Sequence, residues 1–303
     1  MIVMNKFKIL LTALLIGSNG YAIGTTFLTM PTNPREMALG GMTPSISGDA
    51  LLSMGNPALL ASSVDGMRMS FSYGSWFADM KGMNFLLTHP GFGGTIGWRL
   101  RQQKIADLEY RTTTPTDDAL GEFAASGTSL EVSWGGGRDR LRMGGTLRFI
   151  YMETYTYSSS GVAIDLGGWF SLINDRLQFG VSLLNVGAMN AFNLIIPDLP
   201  TSFFSGVTVK TTEMKNDYFG SIVSWINLGV ENSSFHGNVV RLSGEIEAGS
   251  LRWSVGTRIS EEVSSVSTGI EFSWRRFELS YGLEVGSHQL GIPHLFNLSV
   301  GLP

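Results

Sequence analysis

From Asp65 onward the chain alternates, and this period of two constrains the fold more than any other feature. In LQFGVSLLNVG, Leu177, Phe179, Val181 and Leu183 take one parity while Gln178, Gly180 and Ser182 take the other. FELSYGLEV sets Phe277, Leu279, Tyr281, Leu283 and Val285 against Glu278, Ser280, Gly282 and Glu284, and LRWSVGTRI and LRMGGTLRFIY repeat the pattern. Successive side chains of a strand point to opposite faces, so each run reads as a strand with one apolar and one polar face. An antiparallel sandwich and a membrane barrel both satisfy that pattern.

Three features favour the barrel. Several runs last about ten residues, the length of a tilted strand crossing hydrocarbon. Tight connections such as HPGFGG, GRDR, NDR, EMKND, AGS and WRRF alternate with looser segments such as Lys104 to Glu122, Ala188 to Pro200 and Ser287 to His294, as in barrels with short turns on one side and long loops on the other. Trp134, Trp253 and Trp274 sit beside tight turns on the apolar parity, where an aromatic girdle would lie. Composition agrees, with 38 glycines and only 15% charged residues. The predicted fold is therefore all-β, an antiparallel outer-membrane β-barrel of about 14 strands. The predicted runs are Met67 to Tyr73, Met83 to Thr88, Phe92 to Leu108, Phe123 to Trp134, Leu141 to Tyr155, Val162 to Phe170 and Leu177 to Val186. They continue with Ser202 to Thr211, Tyr218 to Val230, Val239 to Ala248, Leu251 to Ile259, Val266 to Trp274, Phe277 to Val285 and Leu295 to Leu302.

The N-terminus implies export. Lys6 and Lys8, an apolar run from Ile9 to Ile16, and Gly20-Tyr21-Ala22 read as a signal peptide over residues 1–22. Two of the 21 basic residues lie in this leader, leaving 19 against 25 acidic ones; that balance gives no support to nucleic-acid binding. The chain has no cysteine, so disulfides and thiolate metal sites are excluded.

Between leader and barrel lies a Gly-rich, methionine-dotted stretch, MALGGMTPSISGDALLSMGNPALLA. It has too many breakers for a helix core and no strand alternation. A barrel of this size has a lumen that its own side chains cannot fill. Residues 23–63 are accordingly predicted to form a plug, or hatch, with residues 64–303 as the barrel. Gly40 and Gly41 would allow close approach to the wall, and Asn56-Pro57 would end a local helix or start a turn. Met30, Met37, Met42 and Met54 would either line an adaptable apolar pocket or form the plug's core.

FLTMPTNPREMALGG, Phe27 to Gly41, followed by NPALLA, resembles the N-terminus of the PorV/PorQ family, outer-membrane barrels of the type IX secretion system. YSSSGVAIDLGGWF, LQFGVSLLNVG and FELSYGLEVGSHQLGIPHLFNLSVGL resemble that family's mid-barrel strands and closing hairpin. The family in turn resembles long-chain fatty-acid transporters in fold, which also carry a Gly-rich hatch with an Asn-Pro-Ala element. The resemblance implies a non-catalytic secretion component, embedded in outer-membrane lipid, that binds secretion-system proteins or secreted clients. The alternative it implies is a FadL-like transporter of a hydrophobic ligand.

Residue chemistry offers no enzyme, cofactor or metal site. His89, His236, His288 and His294 fall in or beside predicted turns without metal-ligand spacing. Parity places Arg68, Arg99, Arg142, Arg148, Asp165, Arg241, Glu245, Glu247, Arg252, Arg258, Glu271, Glu278 and Glu284 in the lumen. There they would pair with one another and with the plug, or line a path; substitutions at lumen-facing Ser182, Ser254 and Ser280 should be mild. The loop Ala188 to Pro200, where Phe192, Leu194, Ile195 and Ile196 are unusually apolar for an exposed loop, would either present a client-binding surface or fold inward and cap the lumen.

Overall fold

The computed structural model describes residues 24–62, 66–111, 119–138, 140–192, 194–216, 220–261, 263–287 and 291–302. The predicted signal peptide lies outside these, as do His288 and the 288–290 part of the last loop.

Fourteen antiparallel strands close into one barrel: β1 (Met67–Ser75), β2 (Lys81–Gly91), β3 (Gly94–Tyr110), β4 (Gly121–Arg138), β5 (Leu141–Thr154), β6 (Tyr157–Leu172) and β7 (Leu177–Met189), then β8 (Ser202–Asn216), β9 (Gly220–Ser233), β10 (Gly237–Ala248), β11 (Leu251–Ile259), β12 (Ser264–Trp274), β13 (Phe277–Gly286) and β14 (His294–Leu302). β1 pairs with both β2 and β14, so no edge is left open.

Among the described residues every predicted run falls on a strand, and several strands are longer; Tyr218 and Phe219, the start of the ninth run, lie outside those residues. β5 and β6 meet in a two-residue turn at Tyr155 and Thr156, where the predicted runs left residues 156–161 between strands. Tyr155 there adopts φ 53°, a conformation usually left to glycine. Phe92, predicted as a strand start, instead forms the β2–β3 turn with φ 52°. Ladder irregularities occur between Ile105 and Leu108 and between Ile164 and Leu166. At such a point the two-residue alternation slips.

The outward face is apolar on every strand. Phe71, Met83, Trp98, Leu130, Phe149, Ile164, Val181, Phe203, Ile226, Leu242, Val255, Ile270, Leu279 and Leu298, one from each, are all exposed. An apolar belt around the whole circumference far exceeds the patches water tolerates and suits lipid. Trp134, Trp253 and Trp274 stand exposed on the rim of the short turns, as the girdle argument predicts. The barrel thus spans a membrane by strands, and no helix among the described residues is long and apolar enough to cross one.

Residues 24–62 pack against the inward face. The segment holds a short helix α1 (Pro34–Ala38) and 3-10 turns at Thr25–Thr29, Ala50–Met54 and Pro57–Ser62. Met37, Leu39, Met42, Leu52, Ala58, Leu59 and Leu60 are fully buried. Met37, Met42 and Met54 are therefore core, whereas Met30 reaches a cavity described below.

Candidate functional site: a filled lumen with an apolar cavity at its loop-side mouth

Local capping shapes the inner segment. Asn33 caps α1 by accepting from the Glu36 amide at 2.9 Å, with Pro34 as the first helical residue. The Glu36 carboxylate reaches back to the Thr32 amide at 2.8 Å and the Thr32 hydroxyl at 2.9 Å. Gly40 and Gly41, at φ 63° and 76°, end the helix, their amides donating to Met37 and Glu36 carbonyls at 2.9 Å. Asn56 is fully buried and clasps wall to segment: its amide donates to the Pro44 carbonyl at 2.7 Å and the Gly168 carbonyl at 2.9 Å, and its oxygen accepts from the Ala58 amide at 3.0 Å.

The wall receives this segment on glycine. Gly97, Gly135, Gly144, Gly167, Gly180, Gly206, Gly229, Gly256, Gly269 and Gly282, on ten different strands, all face inward against it. A Cβ on Gly135 would lie 2.7 Å from the Pro57 carbonyl oxygen, and one on Gly282 would lie 2.7 Å from that of Pro34. At Gly144, Gly180 and Gly256 a Cβ would collide with segment backbone. Several are lateral neighbours, Gly135–Gly144–Gly167 and Gly180–Gly206–Gly229 forming two rows.

Buried ion pairs complete the seat. Arg35 of α1 grips Glu245 of β10 with two nitrogens, at 2.8 and 3.1 Å, and Asp49 at 3.1 Å. On the opposite wall Arg148 contacts Glu131 at 3.0 Å and Asp165 at 2.8 Å, and Arg99 bridges Glu131 to the Ser53 hydroxyl at 3.1 Å. Arg101 donates to the carbonyls of Phe27, Leu28 and Met30. Burial alone would lower the affinity of Arg35 for its proton, but the carboxylates of Glu245 and Asp49 outweigh it and hold the guanidinium protonated. Burial pushes Asp49 up, yet Arg35 and the Leu51 amide bring it below the usual carboxylate range. For Glu36 burial dominates, and its carboxyl titrates above that range despite the Thr32 hydrogen bonds.

The predicted lumen charges fall in three places. Arg148 lies in the Glu131–Asp165 network, while Glu245, Glu271 and Arg258 lie in the opposite sector, where Glu271 meets Arg252 and Arg258 stands 3.7 Å from Glu284. Arg142 sits near the short turns, bonded to the Ser62 hydroxyl at 2.5 Å and stacked 4.3 Å over Trp169. Glu131, Arg101 and Glu231 share this parity and are legible by the same rule; Arg35 and Asp49, in a segment without periodicity, are not.

At the loop-side mouth the segment and wall leave a cavity of about 410 Å³. Phe27, Met30, Met80, Ile105, Met152, Phe192, Ile195 and Ile196 make it mostly apolar, with Gln103, Lys104 and Glu153 as polar groups. The loop after β7 divides its residues between roles. Leu199 is buried among Phe27, Leu28, Ile150 and Met152, and the Thr25 hydroxyl donates to the Asp198 carbonyl at 2.5 Å. Phe192 and Ile195 pair backbones across a tight turn, from which Leu194 projects 91% exposed, with Ile195 and Ile196 at 69% and 64%. This loop thus both caps the cavity and presents an apolar tip. No group of three or more His, Asp or Glu side chains that could hold a metal occurs among the described residues.

No protein-family model matches this chain, and no curated protein matches it. Among solved structures it is similar to a Pseudomonas aeruginosa FadL homologue at TM-score 0.53 and 10% identity, covering 92% of this chain and 98% of that one. It also aligns with the KdgM porin in complex with disordered oligogalacturonate, at TM-score 0.39 and 8% identity over 78% of this chain and 99% of that one. A mutant of the Rh. blastica porin aligns at TM-score 0.38 and 10% identity with the same coverage.

Proposed function

We propose that this protein is an exported bacterial outer-membrane barrel whose lumen is closed by residues 23–63 as a plug, and that it binds a small hydrophobic molecule in the loop-side cavity. The observation that carries this reading is the cavity itself. Its volume of about 410 Å³ and its mainly apolar lining with a few polar groups are those of a small-molecule site. Because the floor is the seated segment, a ligand enters from the loop side without opening a wide pore. The shared architecture with the FadL homologue supports the fold in which such a site is built. The test is binding of an apolar fluorescent probe to the purified barrel. Met152→Glu, which puts a carboxylate into the apolar lining, should weaken binding at least about tenfold, or 1.4 kcal/mol. Unchanged binding would remove the cavity as the site.

A second reading, the secretion accessory that resembles PorV/PorQ proteins, is favoured by one observation: the exposed apolar tip at Leu194, Ile195 and Ile196. Ile195 and Ile196 also line the cavity, so Leu194 is the residue that separates the two. Leu194→Asp should leave probe binding intact, and it should lower surface display of secreted cargo if the tip holds a client. Normal display would leave the small-molecule reading alone.

A further inference from the structure

The outer wall carries a feature that neither reading uses. At the short-turn end of β3–β5 a groove of about 800 Å³ opens toward the membrane, lined by Phe92, Ile96, Trp98, Trp134, Gly145 and Leu147. Its floor is an absent side chain: Gly145 faces outward directly opposite Trp134, whose other neighbour is Ile96. A Cβ on Gly145 would meet nothing closer than 3.5 Å, so the notch is not imposed by crowding. The Trp98 indole is held by a 3.3 Å hydrogen bond to the His89 ring, which keeps that wall upright. The groove is continuous with the apolar belt, so what fills it is apolar. Toward the turn the strand carries two arginines beyond the groove: β4 runs four residues from Trp134 to Arg138, roughly 13 Å along the strand, and Arg138 and Arg140, which flank Asp139 in sequence, are both exposed.

We propose that this groove docks one phospholipid of the leaflet on the short-turn side, an acyl chain lying over Gly145 between its outward neighbours Trp134 of β4 and Leu166 of β6 and the phosphate held by Arg138 and Arg140. The inference rests on the membrane-spanning reading of the belt. An extended chain fits a channel about two strand spacings, roughly 10 Å, across. The guanidinium forks match phosphate geometry and favour an anionic headgroup. Filling an apolar notch with hydrocarbon also restores the contacts that a void forfeits.

The full chain, purified in mild detergent, should retain about one phospholipid per barrel, read by native mass spectrometry and by phosphate assay of extracted lipid. G145F occupies the notch, and R138A/R140A removes the phosphate ligands; each should lower retention about tenfold, or 1.4 kcal/mol, while the heat-modifiable barrel band persists. Should G145F fail to fold, the arginine variant still decides. No retained phospholipid in the wild type, equal retention in a folded variant, or a dimer mass without lipid would overturn the proposal. Reconstitution into phosphatidylethanolamine–phosphatidylglycerol vesicles keeps the premises apart: a barrel that inserts yet retains no lipid loses only the groove, whereas one that does not insert loses the membrane reading.

Discussion

Gly144 and Gly145 are chain neighbours on opposite faces of one strand, and they isolate what the inward glycines do. A methyl group on Gly144 collides with the backbone of Pro57 and Ala58, whereas on Gly145 it meets only ordinary contacts. Gly144→Ala should therefore lower the barrel's midpoint of thermal unfolding by the equivalent of about 1–3 kcal/mol. Gly145→Ala should leave it unchanged or slightly raised, since glycine is a weak strand former. Equal behaviour of the pair would show that the segment is not seated on glycine. Glu36 gives a pH test. Its folded pKa is raised, so its contribution is favourable at acid pH and is lost as pH climbs from the usual carboxylate range through the raised value. Glu36→Gln keeps an oxygen for the Thr32 donors and removes the titration. The wild type should lose more stability across that window than the variant, as read from the difference between their unfolding midpoints from acid to neutral pH. Asp49 has the opposite sign: its pKa is depressed, so its contribution holds above the usual range and fades only as pH falls through the lower value.

At the scale of elements, strands were readable and their surroundings less so. Alternation located all fourteen because each has lipid on one side and polar or small groups on the other, and the two-residue period survives wherever the ladder is regular. It failed locally at Tyr155 and Phe92, where bulky residues take turn conformations that no residue-type preference announces. The inner segment resisted reading for a different reason: its conformation is set by what it touches. The pairing of Arg35 with Glu245 spans 210 positions and has no local trace. Lumen-facing serines were expected to tolerate substitution, but Ser182 donates to the Gly55 carbonyl at 2.6 Å, and Ser254 to Glu245 at 3.0 Å. Both serines are engaged by the segment or by its ion-pair partner, so mild effects are no longer expected at Ser182 and Ser254. Arg35→Ala strands Glu245 and Asp49 as buried charges without their partner, a loss of about 3–5 kcal/mol by comparison with other broken buried pairs. Limited proteolysis should then cut within residues 24–62 in the variant and spare the wild type; equal protection would mean that the ion pairs are dispensable.

On the scale of the whole molecule, the proposed plug makes a prediction about conduction. Planar-bilayer recording should find the intact protein non-conducting, and a chain lacking residues 23–63 should assemble and pass ions; a silent deletion variant would mean that the wall closes the lumen unaided. The distribution of the glycine seat has another consequence, for the order of assembly. Its ten positions run from β3 to β13, so a hairpin offers at most two of them, and several of the contacts that fix the segment, such as that of Gly282 with Pro34, are among the most distant in the chain. Such contacts form late, after the loop entropy between them has been met. The segment precedes the barrel in the chain, yet its seat is complete only when strands as late as β13 are in place. A nascent chain therefore carries an apolar stretch whose seat is still incomplete, and that stretch, like the outward faces of the strands, calls for a chaperone's hold on the way to the membrane.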